Sequence, residues 1–334
     1  MKIIKKIGVG SHGSVYLVQS QTTGKMYIVK RPNTSEKSQH QAKQEMFALE
    51  RIKKACKPYL ICVKELEIKH GNVEGIYLEY IPNTFELYSY LQENSGELNV
   101  YTKFAIMKRL LEGLVVLHSR SVVHRDIKPD NILLEPNLLG THYIDYGASC
   151  IKGNRDCLEE FSGTRDYLSP ELVKGANRGD KSWQVCKKAD VWALGRTFID
   201  VCFYRVFGDY FWDVVVGGKP SSQLDFDFAE NRLLHTIANV TGDKIMDTLV
   251  EHTPQTRENE ILIPIILLLM NPDWRERPTA EQVLELVNGP LTDALMKLGG
   301  RNVEEVALEH AEQTGVSPGT KIFPGPEKER RRTM

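Results

Sequence analysis

The sequence VVHRDIKPDNILLE, residues 122–135, sets a cluster of charged and polar side chains between two apolar runs. The flanking runs, Val122-Val123 and Ile132-Leu133-Leu134, have the composition of short buried strands. The insert between them carries His124, Arg125, Asp126, Lys128, Asp130 and Asn131. A core strand does not tolerate such charges, because an unpaired buried charge strongly destabilises a fold. We therefore predict a functional loop that is held between two short strands.

The composition is typical of a soluble globular protein. The chain has 334 residues, of which 41% are hydrophobic and 26% are charged, enough for one large domain or two lobes. Lysine and arginine number 43 against 44 aspartates and glutamates, which gives no basic face that would favour nucleic acid. The apolar run ILIPIILLLM, residues 261–270, is about half the length that spans a bilayer. We expect a core helix there, and a cytoplasmic monomer that binds neither nucleic acid nor membrane, with entry to the nucleus left open.

Cysteines are scattered along the chain, at Cys56, Cys62, Cys150, Cys157, Cys186 and Cys202. They form no CxxC pair and have no neighbouring histidine cluster, which argues against a zinc site. The first residues also lack the apolar core of a signal peptide. This pattern is typical of a reducing compartment, so we predict reduced and mostly buried thiols. For Cys150 and Cys157, a redox switch is the alternative to two thiols without a role.

The periodicity of apolar residues changes near residue 80. Residues 1–30 alternate and turn as strands do, and residues 38–55 repeat apolar side chains at helical spacing. Two further strand-like runs end before Pro82-Asn83, after which helical spacing dominates. The run ADVWALGRTFIDVCF, residues 189–203, is apolar nearly all round and predicts a buried helix. From Asn288 the chain becomes rich in proline, glycine and charge, and its tail is predicted to be mobile.

The sequence IGVGSHGSV places Gly8, Gly10 and Gly13 in a G-x-G-x-x-G-x-V frame. Glycines let a strand–turn–strand backbone close over phosphates without a side chain in the way. This frame lies between two strands, whereas a dinucleotide-binding unit joins a strand to a helix. We therefore interpret it as a phosphate-covering hairpin.

Lys30 ends the strand that follows this hairpin. A lysine that binds phosphate in a partly buried cleft needs a carboxylate to orient it. Glu45 on the following helix is our first choice, because it shares a side with Leu49, and Glu50 is the alternative.

Four other residues, which lie further along the chain, complete a group of side chains suited to phosphoryl transfer. Asp126 could accept a hydroxyl proton, and Lys128 could neutralise charge on the transferring phosphoryl group. Asn131 and Asp145, which follows an apolar strand and precedes Gly147, offer oxygen ligands that suit Mg²⁺.

Taken in order, these features resemble the eukaryotic-type protein kinase superfamily over residues 1–287. The matching positions, beyond the glycine frame and Lys30 with Glu45, are His124-Arg125-Asp126 with Lys128 and Asn131, Asp145-Tyr146-Gly147, Ser169-Pro170-Glu171, Asp190 with Trp192, and Arg277. The resemblance pairs Arg277 with Glu171. Lys128 together with Thr164 resembles the Ser/Thr branch.

The resemblance also implies the residues that surround the nucleotide. These are Ile7, Gly8, Gly10, Gly13, Val15, Ile28, Lys30, Glu45, Leu78, Glu79, Ile81, Glu86 and Leu133, with Asn131 and Asp145 as the metal ligands. Leu78 would be the gatekeeper, and the backbone of Glu79 and Ile81 would hydrogen-bond adenine. Glu86 would contact the ribose and, with Asp130, would line a substrate entrance that favours basic residues upstream of the acceptor.

The implied fold is α+β and bilobal, with a small antiparallel sheet plus one helix and a larger helical lobe. Its expected bounds are an N-lobe at residues 1–78, a hinge at 79–83, a C-lobe at 84–287 and a partly disordered extension at 288–334. The implied function is transfer of the γ-phosphate of ATP to Ser/Thr hydroxyls of protein substrates, with Mg²⁺. A pseudokinase-like nucleotide-binding scaffold and a small-molecule phosphotransferase are the alternatives.

Several positions depart from the family pattern. Ile28 stands where a small alanine is usual, which would narrow the nucleotide pocket. Glu160 stands near the usual activating phosphosite, so it could supply a fixed negative charge to Arg125; phosphorylation of Ser149 or Ser162 is the alternative. Residues 172–189 are expected to form a surface loop, and the basic tail is expected to be a solvated charge run.

Overall fold

The computed structural model describes residues 1–10, 12–94, 98–138, 140–154, 162–175, 182–217, 226–299 and 302–314. Its N-terminal lobe is built on an antiparallel sheet in the spatial order β1-β2-β3-β5-β4. The strands are β1 (Lys2–Gly10), β2 (Gly13–Gln19), β3 (Met26–Pro32), β4 (Val63–Lys69) and β5 (Asn72–Glu79), and helix α1 (Glu36–Ile52) lies between β3 and β4 in the chain. This arrangement confirms the small sheet lobe with one helix.

The larger lobe is mainly helical. Its helices are α2 (Leu87–Asn94), α3 (Val100–Ser119), α4 (Pro170–Gly175), α5 (Trp183–Phe207), α6 (Phe211–Val215), α7 (Phe226–Asn239), α8 (Gly242–His252), α9 (Arg257–Leu269), α10 (Ala280–Leu286), α11 (Thr292–Gly299) and α12 (Val303–Thr314). Short strands β6 (Phe85–Glu86), β8 (Ile132–Leu134) and β9 (Thr141–Tyr143) form one small sheet, and β7 (Val122–Val123) pairs with β10 (Cys150–Ile151). The two apolar runs of the opening sequence are therefore strands, as predicted.

Helix α1 forms because capping and apolar spacing agree. The Ser35 hydroxyl accepts the Ser38 N–H at 3.3 Å, which satisfies one unpaired donor of the first turn. Ala42, Leu49 and Ile52 are buried on the face that meets the sheet. Helix α1 is thereby fixed against the strand that carries Lys30.

The core of the larger lobe forms around α5. Trp192 and Phe198 on this helix are fully buried, in agreement with its nearly all-apolar sequence. The run at 261–270 largely coincides with α9, where Leu262 and Ile266 are buried. Among the helices of the described ranges, none is both long and apolar enough to cross a membrane.

Part of the C-terminal extension, which we expected to be partly disordered, is helical. Helices α11 and α12 continue to Thr314, with Leu295 and Ala307 fully buried, and α12 packs against α3. Apolar residues at helical spacing outweigh the interspersed glycines and charges in this stretch. The rest of the tail lies outside the described residues.

The expectation of a surface loop at 172–189 was wrong at both ends. Its first residues belong to α4, and α5 begins at Trp183, capped by the Ser182 hydroxyl, which accepts the Val185 N–H at 3.4 Å. Val185 and Cys186 are buried, and this anchors the first turn of the helix. Residues 176–181 lie outside the described ranges.

The expectation of reduced thiols was wrong for Cys56 and Cys62, which form a disulfide. The loop between α1 and β4 turns back on itself and brings their Cα atoms to 5.3 Å, a separation that a disulfide can bridge. Cys150 is disulfide-bonded as well, while Cys157 lies outside the described residues. Cys202 is a buried thiol, as expected, and burial raises its pKa to about 12.

Candidate active site

The glycine frame forms the hairpin that joins β1 to β2. Gly8 lies opposite Val15 in this hairpin, and Val15 in turn lies opposite Lys30 on β3. Gly13 approaches β3 so closely that a Cβ atom there would lie 2.3 Å from the carbonyl oxygen of Arg31. The hairpin is therefore held beside the strand that carries Lys30, and a side chain at position 13 would push the two strands apart.

Lys30 lies between two carboxylates. Its Nζ donates to Glu45 Oε1 at 2.6 Å and to Asp145 Oδ1 at 3.0 Å. The Glu45 side chain is 8% exposed, whereas Glu50 is half exposed and pairs with Lys53. Lys30 thus pairs with Glu45 and not with Glu50. Its two hydrogen bonds link β3 to α1 and to the segment after β9.

The charges in this cluster shift one another's pKa values. Burial acts to lower the pKa of Lys30, but Asp145 and Glu45 outweigh it and the pKa is raised. The positive charge of Lys30 lowers the pKa of Asp145 to about 2. Burial raises the pKa of Glu45, and the nearby Lys30 offsets only part of that rise. Lys30 and Asp145 are therefore charged at neutral pH.

Asp126 is surrounded by hydrogen-bond donors. Asn131 Nδ2 donates to its carbonyl oxygen at 2.8 Å and to its Oδ2 at 2.9 Å. Thr164 Oγ1 donates to Oδ1 at 2.7 Å. Lys128 Nζ lies 3.3 Å from Oδ2 and donates to Thr164 Oγ1 at 2.7 Å. These contacts fix the carboxylate in one orientation beside a cation and a hydroxyl group.

Asp190 of α5 holds the backbone of the loop that carries Asp126. Its carboxylate accepts the N–H groups of His124 and Arg125, both at 2.8 Å, and contacts His118 Nε2 at 3.0 Å. Arg125 adopts a φ of +64°, a left-handed conformation that a side chain disfavours. The hydrogen bonds to Asp190 offset the free-energy cost of that backbone conformation. The sequence signal for this role, which we had not assigned, was a charged residue inside a helix that is apolar nearly all round.

The first turn of α4 is tied to the loop between α9 and α10. Arg277 donates from Nη1 and Nη2 to Glu171 at 2.7 and 3.0 Å. Both side chains are nearly or fully buried. Thr164 and Glu171 are therefore held at the two ends of one short segment.

Two hydrogen bonds hold the backbone of the predicted hinge. The N–H of Glu79 donates to the Cys62 carbonyl at 2.9 Å. The carbonyl of Ile81 accepts the Thr84 hydroxyl at 3.1 Å. Leu78, the expected gatekeeper, is buried opposite Ile28.

Other predicted residues lie elsewhere than expected. Glu86 on β6 is 3% exposed, so it does not offer a charge at a substrate entrance. Ser149 is 1% exposed and donates to the Tyr146 carbonyl at 2.6 Å, so this conformation does not offer it for phosphorylation. Arg125 Nε donates to the Ala148 carbonyl at 2.6 Å. Glu160, its expected charge partner, lies outside the described residues.

The two lobes, the lysine–carboxylate cluster and the aspartate loop together form the arrangement of a protein kinase fold. The chain belongs to the protein kinase family, since the family model described as protein kinase domain matches residues 1–287.

Curated relatives agree with this assignment. The chain is 32% identical over 294 residues to mitogen-activated protein kinase kinase 1 of Arabidopsis thaliana, which covers 85% of this chain and 73% of that protein. It is 32% identical over 201 residues to serine/threonine-protein kinase cds1 of Schizosaccharomyces pombe, covering 58% of this chain and 42% of that protein. It is 31% identical over 202 residues to mitogen-activated protein kinase kinase kinase 15 of Mus musculus, covering 60% of this chain and 14% of that protein. The chain is thus similar to Ser/Thr protein kinases and spans less than half the length of the last two.

Proposed function

We propose that the chain is an ATP- and Mg²⁺-dependent kinase that phosphorylates serine and threonine hydroxyls of proteins. The observation that carries this proposal is the position of the Thr164 hydroxyl, which donates to Asp126 at 2.7 Å and accepts from Lys128 at 2.7 Å. An aliphatic hydroxyl in hydrogen-bond contact with a carboxylate and a cation is the group that a Ser/Thr kinase must handle. Asp126 is therefore our catalytic base.

In the proposed step, Asp126 accepts the proton of the substrate hydroxyl as the hydroxyl oxygen bonds to the γ-phosphorus. The bond between the γ-phosphorus and the β,γ-bridging oxygen breaks, and ADP leaves. Lys128 offsets negative charge on the transferring group; Asp126 and Asp130 outweigh burial and raise its pKa. Positioning and electrostatic stabilisation supply most of the catalysis in such reactions.

The nucleotide would lie between the hairpin and the hinge. Lys30 would hold the α- and β-phosphates, and Glu45 would orient it. The Glu79 carbonyl and the Ile81 N–H match the amino donor and a ring-nitrogen acceptor of adenine. Leu133 on β8 and Ile28 on β3 are buried at 4% exposure each, and both are expected to pack against the base.

The donor set fits Mg²⁺. Asn131 uses its Nδ2 to hold Asp126, which leaves its amide oxygen for a cation, and Asp145 adds a carboxylate whose side chain is 52% exposed. Hard oxygen donors of this kind suit Mg²⁺. When bound, the ion would neutralise phosphate charge.

The alternatives receive less support. The presence of Lys30 hydrogen-bonded to Asp145, and of Asp126 hydrogen-bonded to Asn131 and Thr164, argues against a pseudokinase-like scaffold. The buried Glu171–Arg277 pair orders a segment that a protein substrate would contact, which disfavours a small-molecule acceptor. A preference for upstream basic residues now rests on Asp130 alone, and a monomeric, cytoplasmic protein stays a prediction.

The test is transfer of labelled γ-phosphate from Mg-ATP to a generic basic protein and to the chain itself. Wild type should transfer, whereas Asp126→Asn and Lys30→Met should each lose at least about a thousandfold in rate. Lys37→Met, which removes an exposed lysine of α1, is the matched control and should retain full activity. ATP binding without transfer by the wild type would point to a scaffold and overturn the proposal.

A further inference from the structure

A disulfide closes the loop between α1 and β4 and has no part in the proposed transfer chemistry. It joins Cys56 to Cys62, which are six positions apart in the chain. Both cysteines are nearly buried, at 6% and 3% exposure. A disulfide across so short a loop restricts the unfolded chain less than one across a long loop. Its main effect is therefore on the conformation of the loop itself.

The closed loop is bonded to the predicted hinge on one side. The Cys62 N–H donates to Glu79 Oε1 at 3.1 Å, and the Glu79 N–H donates to the Cys62 carbonyl at 2.9 Å. Lys57 Nζ, inside the loop, lies 3.5 Å from Glu79 Oε2, and the Glu79 side chain is only 11% exposed. Cys62 is thus fixed to the residue whose backbone carbonyl we expect to bind adenine.

The same loop is bonded to β9 on its other side. The Ile61 N–H donates to the Tyr143 carbonyl at 3.1 Å, and the Tyr143 N–H donates to the Tyr59 carbonyl at 3.0 Å. Leu60, between the two bonded loop residues, is fully buried. Tyr143 ends β9 two positions before Asp145, the proposed metal ligand. The loop therefore contacts the elements that carry both the adenine end and the metal end of the proposed nucleotide site.

The disulfide holds the loop in position to make these bonds before a nucleotide arrives. When the disulfide is opened, the loop gains conformations in which the hinge and β9 lose their partners. The fraction of molecules that can bind nucleotide then falls, and the apparent affinity falls by the same factor. The state of the two cysteines is thereby coupled to the proposed site.

We propose that Cys56 and Cys62 form a reversible redox site whose disulfide form binds nucleotide more tightly than its dithiol form. This inference rests on the proposed kinase function, because it concerns regulation of that nucleotide site. In the reducing step, a thiolate of a dithiol reductant attacks one sulfur and breaks the Cys56–Cys62 bond, which gives a mixed disulfide. The second thiol of the reductant then displaces the bound cysteine. The chain gains two electrons and two protons as two thiols, and the reductant leaves as a disulfide.

The test compares binding of Mg-ADP by the full chain in its disulfide form and after reduction with dithiothreitol. Titration calorimetry gives the Kd, alkylation followed by mass spectrometry reports the state of each cysteine, and thermal unfolding reports the folded fraction. Reduction should raise the Kd by at least about fivefold. Cys56→Ser with Cys62→Ser should show the raised Kd with and without dithiothreitol.

Cys150 supplies the matched control, because it is disulfide-bonded as well. Dithiothreitol opens that second disulfide too, so the response has to be assigned to one of them. Cys150→Ser should keep the full rise in Kd on reduction.

Linkage supplies a second readout that does not depend on phosphate transfer. In glutathione buffers of stepped ratio, saturating Mg-ADP should shift the Cys56–Cys62 equilibrium toward the disulfide. The shift should equal the factor by which reduction raises the Kd, because coupling between two equilibria is reciprocal. A disulfide that serves the fold alone would not respond to nucleotide in this way.

Three results would overturn the inference alone. One is a folded, reduced wild type whose Kd stays within about twofold of that of the disulfide form. Another is a response to dithiothreitol that disappears in Cys150→Ser. The third is a rise in Kd that merely follows the loss of folded protein. A wild type that binds no Mg-ADP in either form would overturn the proposed function, and this inference with it.

Discussion

Replacement of Arg277 by methionine should destabilise the larger lobe severely, because its guanidinium makes several buried contacts at once. Besides its two bonds to Glu171 at 2.7 and 3.0 Å, it donates to the Asn271 carbonyl at 2.9 Å and to the Lys188 carbonyl at 2.6 Å. It also lies 5.0 Å from the centre of the Trp192 ring. Methionine fills similar space but can donate no hydrogen bond.

The contacts set the size of the effect. Removal of one partner from a buried ion pair costs about 3–5 kcal/mol, because the other charge stays buried without its partner. Two carbonyl oxygens that each lose a donor add about 1 kcal/mol apiece. The total is about 5–7 kcal/mol, against a typical stability of about 5–15 kcal/mol. At about 2–4 °C per kcal/mol, the melting temperature should fall by roughly 10–28 °C.

The assay is urea and thermal unfolding of wild type, Arg277→Met, Glu171→Leu and the double variant. The double variant should be less destabilised than the sum of the two single variants, because neither charge is then left unpaired. A loss below about 2 kcal/mol for Arg277→Met, or additive losses in the double variant, would refute the reasoning.

Three further outcomes follow from single sites. The pKa of Asp145 is lowered from 3.8 to about 2, so its contribution to stability is complete above pH 3.8 and is lost only as the pH falls through about 2. Asp145 therefore stays ionised between pH 5 and 8. Over that range, a titration of Mg-ATP binding that is present in wild type and absent in Asp145→Asn would contradict this. In Gly195→Ala, the new Cβ would lie 2.6 Å from Met270 Cγ, so overpacking of about 1–3 kcal/mol should exceed the helix-propensity gain of about 1 kcal/mol; a variant with higher stability in urea unfolding would contradict this. Replacement of both Cys56 and Cys62 by serine opens a short loop, and the chain-entropy relation gives a loss of about 2–3 kcal/mol; unchanged urea unfolding would contradict it.

Local sequence patterns were sufficient for the elements that lie close together in the chain. The apolar runs on either side of Asp126 predicted two strands, and both strands are present. The choice of Glu45 over Glu50 followed from its helical side, and the structure pairs Glu45 with Lys30. Such predictions succeed because strand alternation and helical periodicity determine which face a side chain occupies.

Contacts between distant segments could not be predicted in this way. The spacing of Cys56 and Cys62 matched no motif that we considered, and their disulfide depends on how the loop after α1 turns. We did not predict the helix that starts at Trp183, because the glycine-rich and charged residues around its first turn are typical of a loop. The resemblance placed Glu86 at the ribose and the substrate entrance, whereas its residue is only 3% exposed. These errors concern pairing, helix bounds and burial, which tertiary packing decides.

The buried acids of α5 show how such packing supports the proposed site. A carboxylate inside a core is unfavourable unless donors satisfy it, and both acids find donors on the loops that surround the proposed reaction. Asp190 accepts the N–H groups of His124 and Arg125, and Asp200 accepts the hydroxyl of Tyr167. Moving either loop would leave a buried carboxylate short of a donor. The free-energy cost of an unsatisfied carboxylate in the core therefore stabilises both loops in their observed positions.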